Sequence, residues 1–215
     1  VEDLSIDLRE VGDALHMSAT VPESHELFAA SVSGCTRCRL CLSRRNLVLS
    51  RGSVEAPLML VGEAPGERED EHGLPFVGPS GVLLGRLLAR AEVPESALYI
   101  CNAVKCRPPG NRNPRDDELR SCRRWLTSQV ALVRPRVILT AGKVATSAVT
   151  ATRGTMSSLL EVEGLTCFLT DDTIPVIPIY HPSYLLRRMD DSSARDVFVD
   201  TVARLRRAWQ ATAEA

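Results

Sequence analysis

Residues 58–66 read LMLVGEAPG, four apolar residues held between Pro57 and Gly62 and followed by a polar, glycine-containing loop. An apolar run of this length bounded by turn residues predicts a buried strand. Working outward, SGVLLGRLLARA (80–91) carries apolar residues at 82, 83, 84, 87, 88 and 91, the stripe of a helix packed on one face. ALYICNAV (97–104) predicts the next strand and DDELRSCRRWLTSQVALV (116–133) a long amphipathic helix. RVILTAG (136–142) predicts a strand ending in Gly, KVATSAVTA (143–151) a helix, IPVIPIY (174–180) a last strand despite two prolines, and SARDVFVDTVARLRRAWQAT (193–212) a closing helix. Strands alternating with helices predict an α/β fold with a largely parallel sheet covered on both faces. Segment 152–172 breaks the rhythm and reads as a hairpin or irregular insertion.

Upstream of this body, SHELFAASVSG (24–34) predicts a short helix opened by Glu23 or Ser24 and stopped by Gly34. Residues 1–22 read as an acidic extension, and 23–215 as one domain, because 215 residues are too few for two independent cores. Residues 1–27 hold seven acids against Arg9 alone, whereas the remainder carries 25 bases and 20 acids. A mildly basic body fits a protein that meets nucleic acid through a local patch rather than by coating it. All bases but Lys105 and Lys143 are Arg, whose planar fork suits phosphate. No apolar run approaches the roughly 18 residues that cross a bilayer, and the first residues lack the basic-then-apolar pattern of a secretory signal. A soluble, cytoplasmic monomer is expected, associated with the nucleoid when it acts.

Seven cysteines in such a chain read as metal ligands or buried thiols before disulfides. Cys35 and Cys38 form a C-x2-C pair, and Cys106 and Cys122 flank the RPPGNRNP loop and a helix start. Together they predict a four-thiolate site for zinc or an iron–sulfur cluster, and spacing alone does not choose between these. Cys41 is a fifth candidate, while Cys101 and Cys167 read as small buried hydrophobes.

In open α/β sheets, ligands bind beyond the carboxyl ends of the strands. That rule selects GEAPGERED beyond the first strand, Asn102 beyond the second, and His181 with Pro182 and Ser183 beyond the fourth. Three polar segments distant in sequence are thus expected on one edge.

VGEAPGERED, GLPFVGPSGVLL, NAVKCRPPGNRNP and HPSYLLR resemble, in order and spacing, the motifs of family-4 uracil-DNA glycosylases, the iron–sulfur type. The resemblance runs from about Cys35 to the closing helix. It implies a three-layer sandwich with a four-stranded, mainly parallel sheet, activity on uracil-containing DNA, and a [4Fe–4S] cluster on Cys35, Cys38, Cys106 and Cys122. Cys41 falls where that family needs no ligand, and the acidic extension is outside its pattern. A sister group that traps its product through a His carries a His-containing insertion after the NAVK segment; NAVKCRPPGNRNP has no His, which favours turnover over a uracil-DNA binding role.

Breaking uracil's glycosidic bond needs donors for the departing anion and a carboxylate near the cationic sugar. His181 is the expected donor to uracil O2. Glu63 is the expected carboxylate, with Asp70 next, and Glu67 and Glu69 read as a solvated loop. Asn102 offers a carbonyl and an amide for uracil N3–H and O4, which rejects cytosine. Phe76 is expected to stack on the flipped base. Backbone amides of GEAPG, at Gly62, Ala64 and Gly66, and of GPSG are expected to receive the uracil carbonyl or phosphates. Ser80, Ser183, Arg107, Arg112 and Arg187 are candidate DNA contacts, and Leu185 and Leu186 a wedge for the vacated stack.

Overall fold

The computed structural model describes residues 23–171, 173–188, 191 and 193–214. The acidic extension at 1–22 lies outside them. Helix α1 (Glu23–Ser33) comes first, and a 3-10 turn at Arg39–Leu42 follows the C-x2-C pair. The sheet is built from β1 (Ser50–Gly52), β2 (Leu58–Gly62), β3 (Leu98–Asn102), β4 (Val137–Ala141) and β5 (Val176–Ile179), in the order β1-β3-β2-β4-β5. β3, β2, β4 and β5 are parallel, in agreement with the expected four strands. The fifth strand corrects that count: β1 runs antiparallel against β3, pairing Ser50 with Cys101 and Gly52 with Tyr99. Three residues containing Ser, Arg and Gly carry no period-2 signal, so only pairing with β3 reveals them.

The parallel strands are apolar on both faces because both are covered. Leu58, Leu60, Leu98, Ile100, Val137 and Leu139 pack with Leu83, Leu84 and Leu87 of α3 (Pro79–Arg90) and Leu205 of α8 (Ala194–Glu214). Met59, Val61, Tyr99, Cys101 and Ile138 pack on the other side with Leu126, Val130 and Val133 of α4 (Asp116–Val133) and Val149 of α5 (Lys143–Thr150). Alternate residues of each strand serve opposite layers, as the pleat requires. Cys101 and Cys167 lie in the second layer as buried thiols. Pro178 is tolerated in β5 because that strand is an edge, where a missing N–H costs no ladder bond.

Two segments are more regular than their sequences suggest. GEAPGERED contains α2 (Glu67–His72), closed by Gly73 in the left-handed conformation at φ 74°. Within 152–172, α6 (Met156–Glu161) forms where Thr155 accepts the Ser158 amide. Residues 165–167 then pair antiparallel with 174–176 about the Thr166–Pro175 bridge, the Cys167 amide donating to the Ile174 carbonyl at 2.9 Å and the Val176 amide to the Leu165 carbonyl at 2.8 Å, a minimal hairpin as expected. The last short helix is α7 (Pro182–Leu186). Among the described residues no helix is long and apolar enough to cross a membrane.

Candidate active site

Because the four parallel strands end on one side, the order of the sheet sets the order of the groups beyond them. Asn102 ends β3, Gly62 and Glu63 end β2, Gly142 and Lys143 follow β4, and His181 follows β5. A Cβ on Gly62 would collide with Asn102 Oδ1 and with the Phe76 ring, so this glycine lets the two side chains meet over the end of β2. Phe76 adopts φ 53°, a conformation that costs a non-glycine residue about 1 kcal/mol or more. Its carbonyl packs against Gly81, at the first turn of α3, where a Cβ would collide with it. Its ring stacks on His181 at 5.8 Å and 27°. The structure thus brings Gly62, Glu63, Phe76, Asn102 and His181 together from four chain segments.

His181 is the N-cap of α7, and its Nδ1 lies 3.1 Å from the Ser183 amide and 2.8 Å from Ser183 Oγ. An amide only donates, so Nδ1 is the acceptor and the ring proton resides on Nε2. Burial, with the Arg187 guanidinium adding to it, pulls the imidazole down to about 4. At neutral pH His181 is therefore a neutral ring with one N–H to offer. Ser183, expected at a phosphate, has its hydroxyl and amide on the imidazole and fixes that tautomer.

The carboxylates separate into different duties. Burial raises Glu63, and Lys143 and then Arg187 oppose that rise. Asp70 is 2% exposed and accepts the amides of Arg45 (3.0 Å) and Asn46 (3.3 Å), so it pins the basic loop to α2 and does not join the site. Glu69 is buried rather than solvated: its oxygens take the amides of Gly66 (3.1 Å), Val77 (3.0 Å) and Gly78 (2.8 Å). The amides of Gly66 and Gly78, expected to face substrate, are thereby committed to Glu69. That carboxylate shapes the GEAPG and GPSG turns, which no sequence pattern announced. Glu67 alone of the pair is exposed. Ala64 is half-buried against the Phe28–Trp125 cluster.

The expected DNA contacts also divide. Arg112 forms a two-pronged pair with Glu118, at 2.8 and 2.7 Å, and this holds the buried carboxylate well below its ordinary range together with the Arg115 amide. Arg107 donates to Asn111 at 2.8 Å and pairs with Glu67. Both arginines thus tie the RPPGNRNP loop to its neighbours, Arg107 to α2 and Arg112 to α4. Leu185 is 1% exposed in the core and cannot act as a wedge without leaving it, whereas Leu186 is partly buried and Arg187 exposed. Ser80 lies at the first turn of α3, half-buried.

A second constellation lies off the sheet. Cys35, Cys38, Cys41, Cys106 and Cys122 line one cavity together with Arg44, Lys105 and Trp125. Trp125 Nε1 donates to Cys35 Sγ, Arg44 Nη1 to Cys106 Sγ and the Lys105 amide to Cys122 Sγ, each at 3.3 Å. The Leu40 amide donates to Cys38. Burial raises Cys106 and pushes Cys122 up to about 11, so a thiolate there needs a cation to form. Lys105 links the two constellations: it is 1% exposed, and its Nζ donates to the Asn102 carbonyl at 2.5 Å.

Sequence reasoning missed Lys143. The strand-end rule that finds Asn102 and His181 applies equally to β4, whose end reads in sequence as a plain glycine turn.

Fold and site together define an α/β protein that gathers an amide, a phenyl ring and a neutral imidazole at the carboxyl edge of its sheet. The profile of the Uracil DNA glycosylase superfamily matches residues 49–211. A type-4 uracil-DNA glycosylase from Thermotoga maritima is 39% identical, over 84% of this chain and 93% of the relative. One from Saccharolobus solfataricus is 40% identical, over 75% of this chain and 76% of the relative. A type-5 uracil-DNA glycosylase from Thermus thermophilus is 31% identical, over 62% and 75%. The chain belongs to the uracil DNA glycosylase superfamily, in its type-4 group.

Proposed function

We propose that this protein removes uracil from DNA by hydrolysing the bond between uracil N1 and the deoxyribose, leaving an abasic site. The observation that carries the reading is the tautomer of His181. With Nδ1 bound to the Ser183 amide, Nε2–H is the donor available to uracil O2 as charge builds there. A neutral donor stabilises the leaving anion without first giving up its proton, the logic of an oxyanion hole. Asn102 reads the uracil edge, its amide on O4 and its carbonyl on N3–H. Phe76 covers the base face. Glu63 faces the sugar, where its charge steadies the oxocarbenium-like centre and orients the water that adds to it. Leu186 and Arg187 occupy the gap left in the base stack and the flanking phosphate.

Cys35, Cys38, Cys106 and Cys122 are proposed to hold a [4Fe–4S] cluster. Each of these sulfurs receives an N–H donor, which favours the thiolate. Among the described residues no three Cys, His, Asp or Glu side chains approach closely enough to hold a single ion, although the thiols share one cavity. A cluster is favoured over one zinc by the likeness of the four-cysteine spacing to that of the iron–sulfur type of the family. When bound, the cluster cross-links the C-x2-C turn, the RPPGNRNP loop and α4 beside a DNA-facing surface.

The test is cleavage of a uracil-containing oligonucleotide by alkali after incubation with the protein. Strand breaks at the uracil position, absent with thymine there, support the reading. An intact strand after prolonged incubation, or a stable protein–DNA adduct in place of an abasic site, contradicts it.

A further inference from the structure

The groups that the motifs supply stand at the ends of β3, β2 and β5 and leave β4 without a part. Yet β4 lies between β2 and β5, with Thr140 level with Val61 on one side and Ala141 with Ile179 on the other. Whatever follows Ala141 stands between Glu63 and His181. Gly142 takes φ 88°, where a side chain is strained, and a Cβ there would meet His181 Cβ at 3.3 Å. The turn therefore passes against the His181 Cβ and starts α5 at Lys143 beside the site. We propose that Lys143 is a positioning residue whose ammonium is the counter-charge that holds the Glu63 side chain at the sugar edge of the site.

The charges around Glu63 agree with this placement. Burial disfavours its charged form, and Lys143 from α5 and Arg187 from the end of α7 favour it, Lys143 the more strongly. On the same edge His181 is neutral and adds no charge, and Lys105 is held on the Asn102 carbonyl at the end of β3. Arg187 is exposed beyond α7, where a DNA phosphate competes for it, so Lys143 is the cation that stays with Glu63 when DNA is bound. Lys143 is itself exposed, so water and salt weaken its hold without abolishing it.

The inference rests on the role given to Glu63, and single-turnover excision measured against pH with enzyme in excess tests both. Glu63 must be charged to act, so the rate falls as pH drops through its titration. K143Q should move that acid limb upward by about one pH unit, K143R should restore it, and added salt should shrink the difference between wild type and K143Q. Melting temperatures of all variants confirm that the fold is kept. If E63Q excises at the wild-type rate, the role of Glu63 falls and that of Lys143 with it. If E63Q is slow while K143Q keeps the wild-type acid limb, the role of Lys143 alone is overturned. It is overturned too if K143Q only weakens DNA binding and flattens its salt dependence, the behaviour of a phosphate contact.

Discussion

The carboxyl edge of the sheet and the thiol cavity are both assembled from distant segments, but they are held by different means. At the edge, hydrogen bonds within the protein fix three of the groups: the Ser183 amide sets His181, Glu69 sets the turns around Phe76, and Lys105 holds the Asn102 carbonyl. In the cavity, thiols gather with N–H groups aimed at them, and burial disfavours the charged form they need. The edge is complete as a polypeptide, whereas the cavity would be stabilised by the cluster proposed to bind there. Damage at the edge should therefore cost rate, and damage in the cavity should cost the fold.

The largest effect is expected from Cys106→Ser or Cys35→Ser. Either should remove most of the broad absorbance at roughly 400 nm and most of the soluble yield, because metal binding and folding share one free energy. Cys41→Ser should leave both near wild type. A colourless wild-type protein with one zinc per chain and full activity would erase the contrast.

Gly62→Ala addresses the edge from the other direction. Its Cβ has no room between Asn102 and Phe76, and overpacking there should cost about 1–3 kcal/mol. We expect excision to fall at least tenfold with iron content unchanged. Loss of iron along with rate would mean that the two regions are mechanically one.

Asn102→Asp should lower uracil excision by roughly 10- to 100-fold, the worth of one two-point base contact, and admit cytosine to a measurable extent. Wild-type excision and discrimination in both Asn102→Asp and Asn102→Ala would return Asn102 to a turn residue. A smaller effect is expected with pH. His181 titrates at about 4, so the rate should show no inflection near 6.5; the acid limb belongs to Glu63, which burial raises above 4.5. A limb at 6.5 that vanishes in a His181 variant would assign the imidazole as an acid rather than a neutral donor.

The difference between the regions also explains what the sequence reveals. Strand-end position and motif order point to Asn102, Glu63 and His181 because those groups follow apolar runs, and Phe76 is found as the lone aromatic of a glycine- and proline-flanked loop. The same rule reaches Lys143 only once β4 is known to lie between β2 and β5. Scaffolding residues leave no such trace: Glu69 reads as part of a solvated loop and Asp70 as a second candidate carboxylate for the site, and only tertiary contact shows which main-chain amides they hold. Arg112 reads as a phosphate ligand until its fork is found on Glu118. Leu185 and Leu186 are indistinguishable in sequence, and the rotation of a one-turn helix sends the first into the core. β1 is three residues of no pattern, created by the edge it covers.

If His181 acts on the transition state as a neutral donor, as its tautomer requires, single-turnover excision by His181→Ala under saturating enzyme is the most direct test. The rate should be lower by about 10² to 10³, with affinity for uracil-containing DNA changed far less, because phosphate contacts and the covered base dominate binding. A wild-type saturated rate in His181→Ala, whether or not binding weakens, would contradict that role.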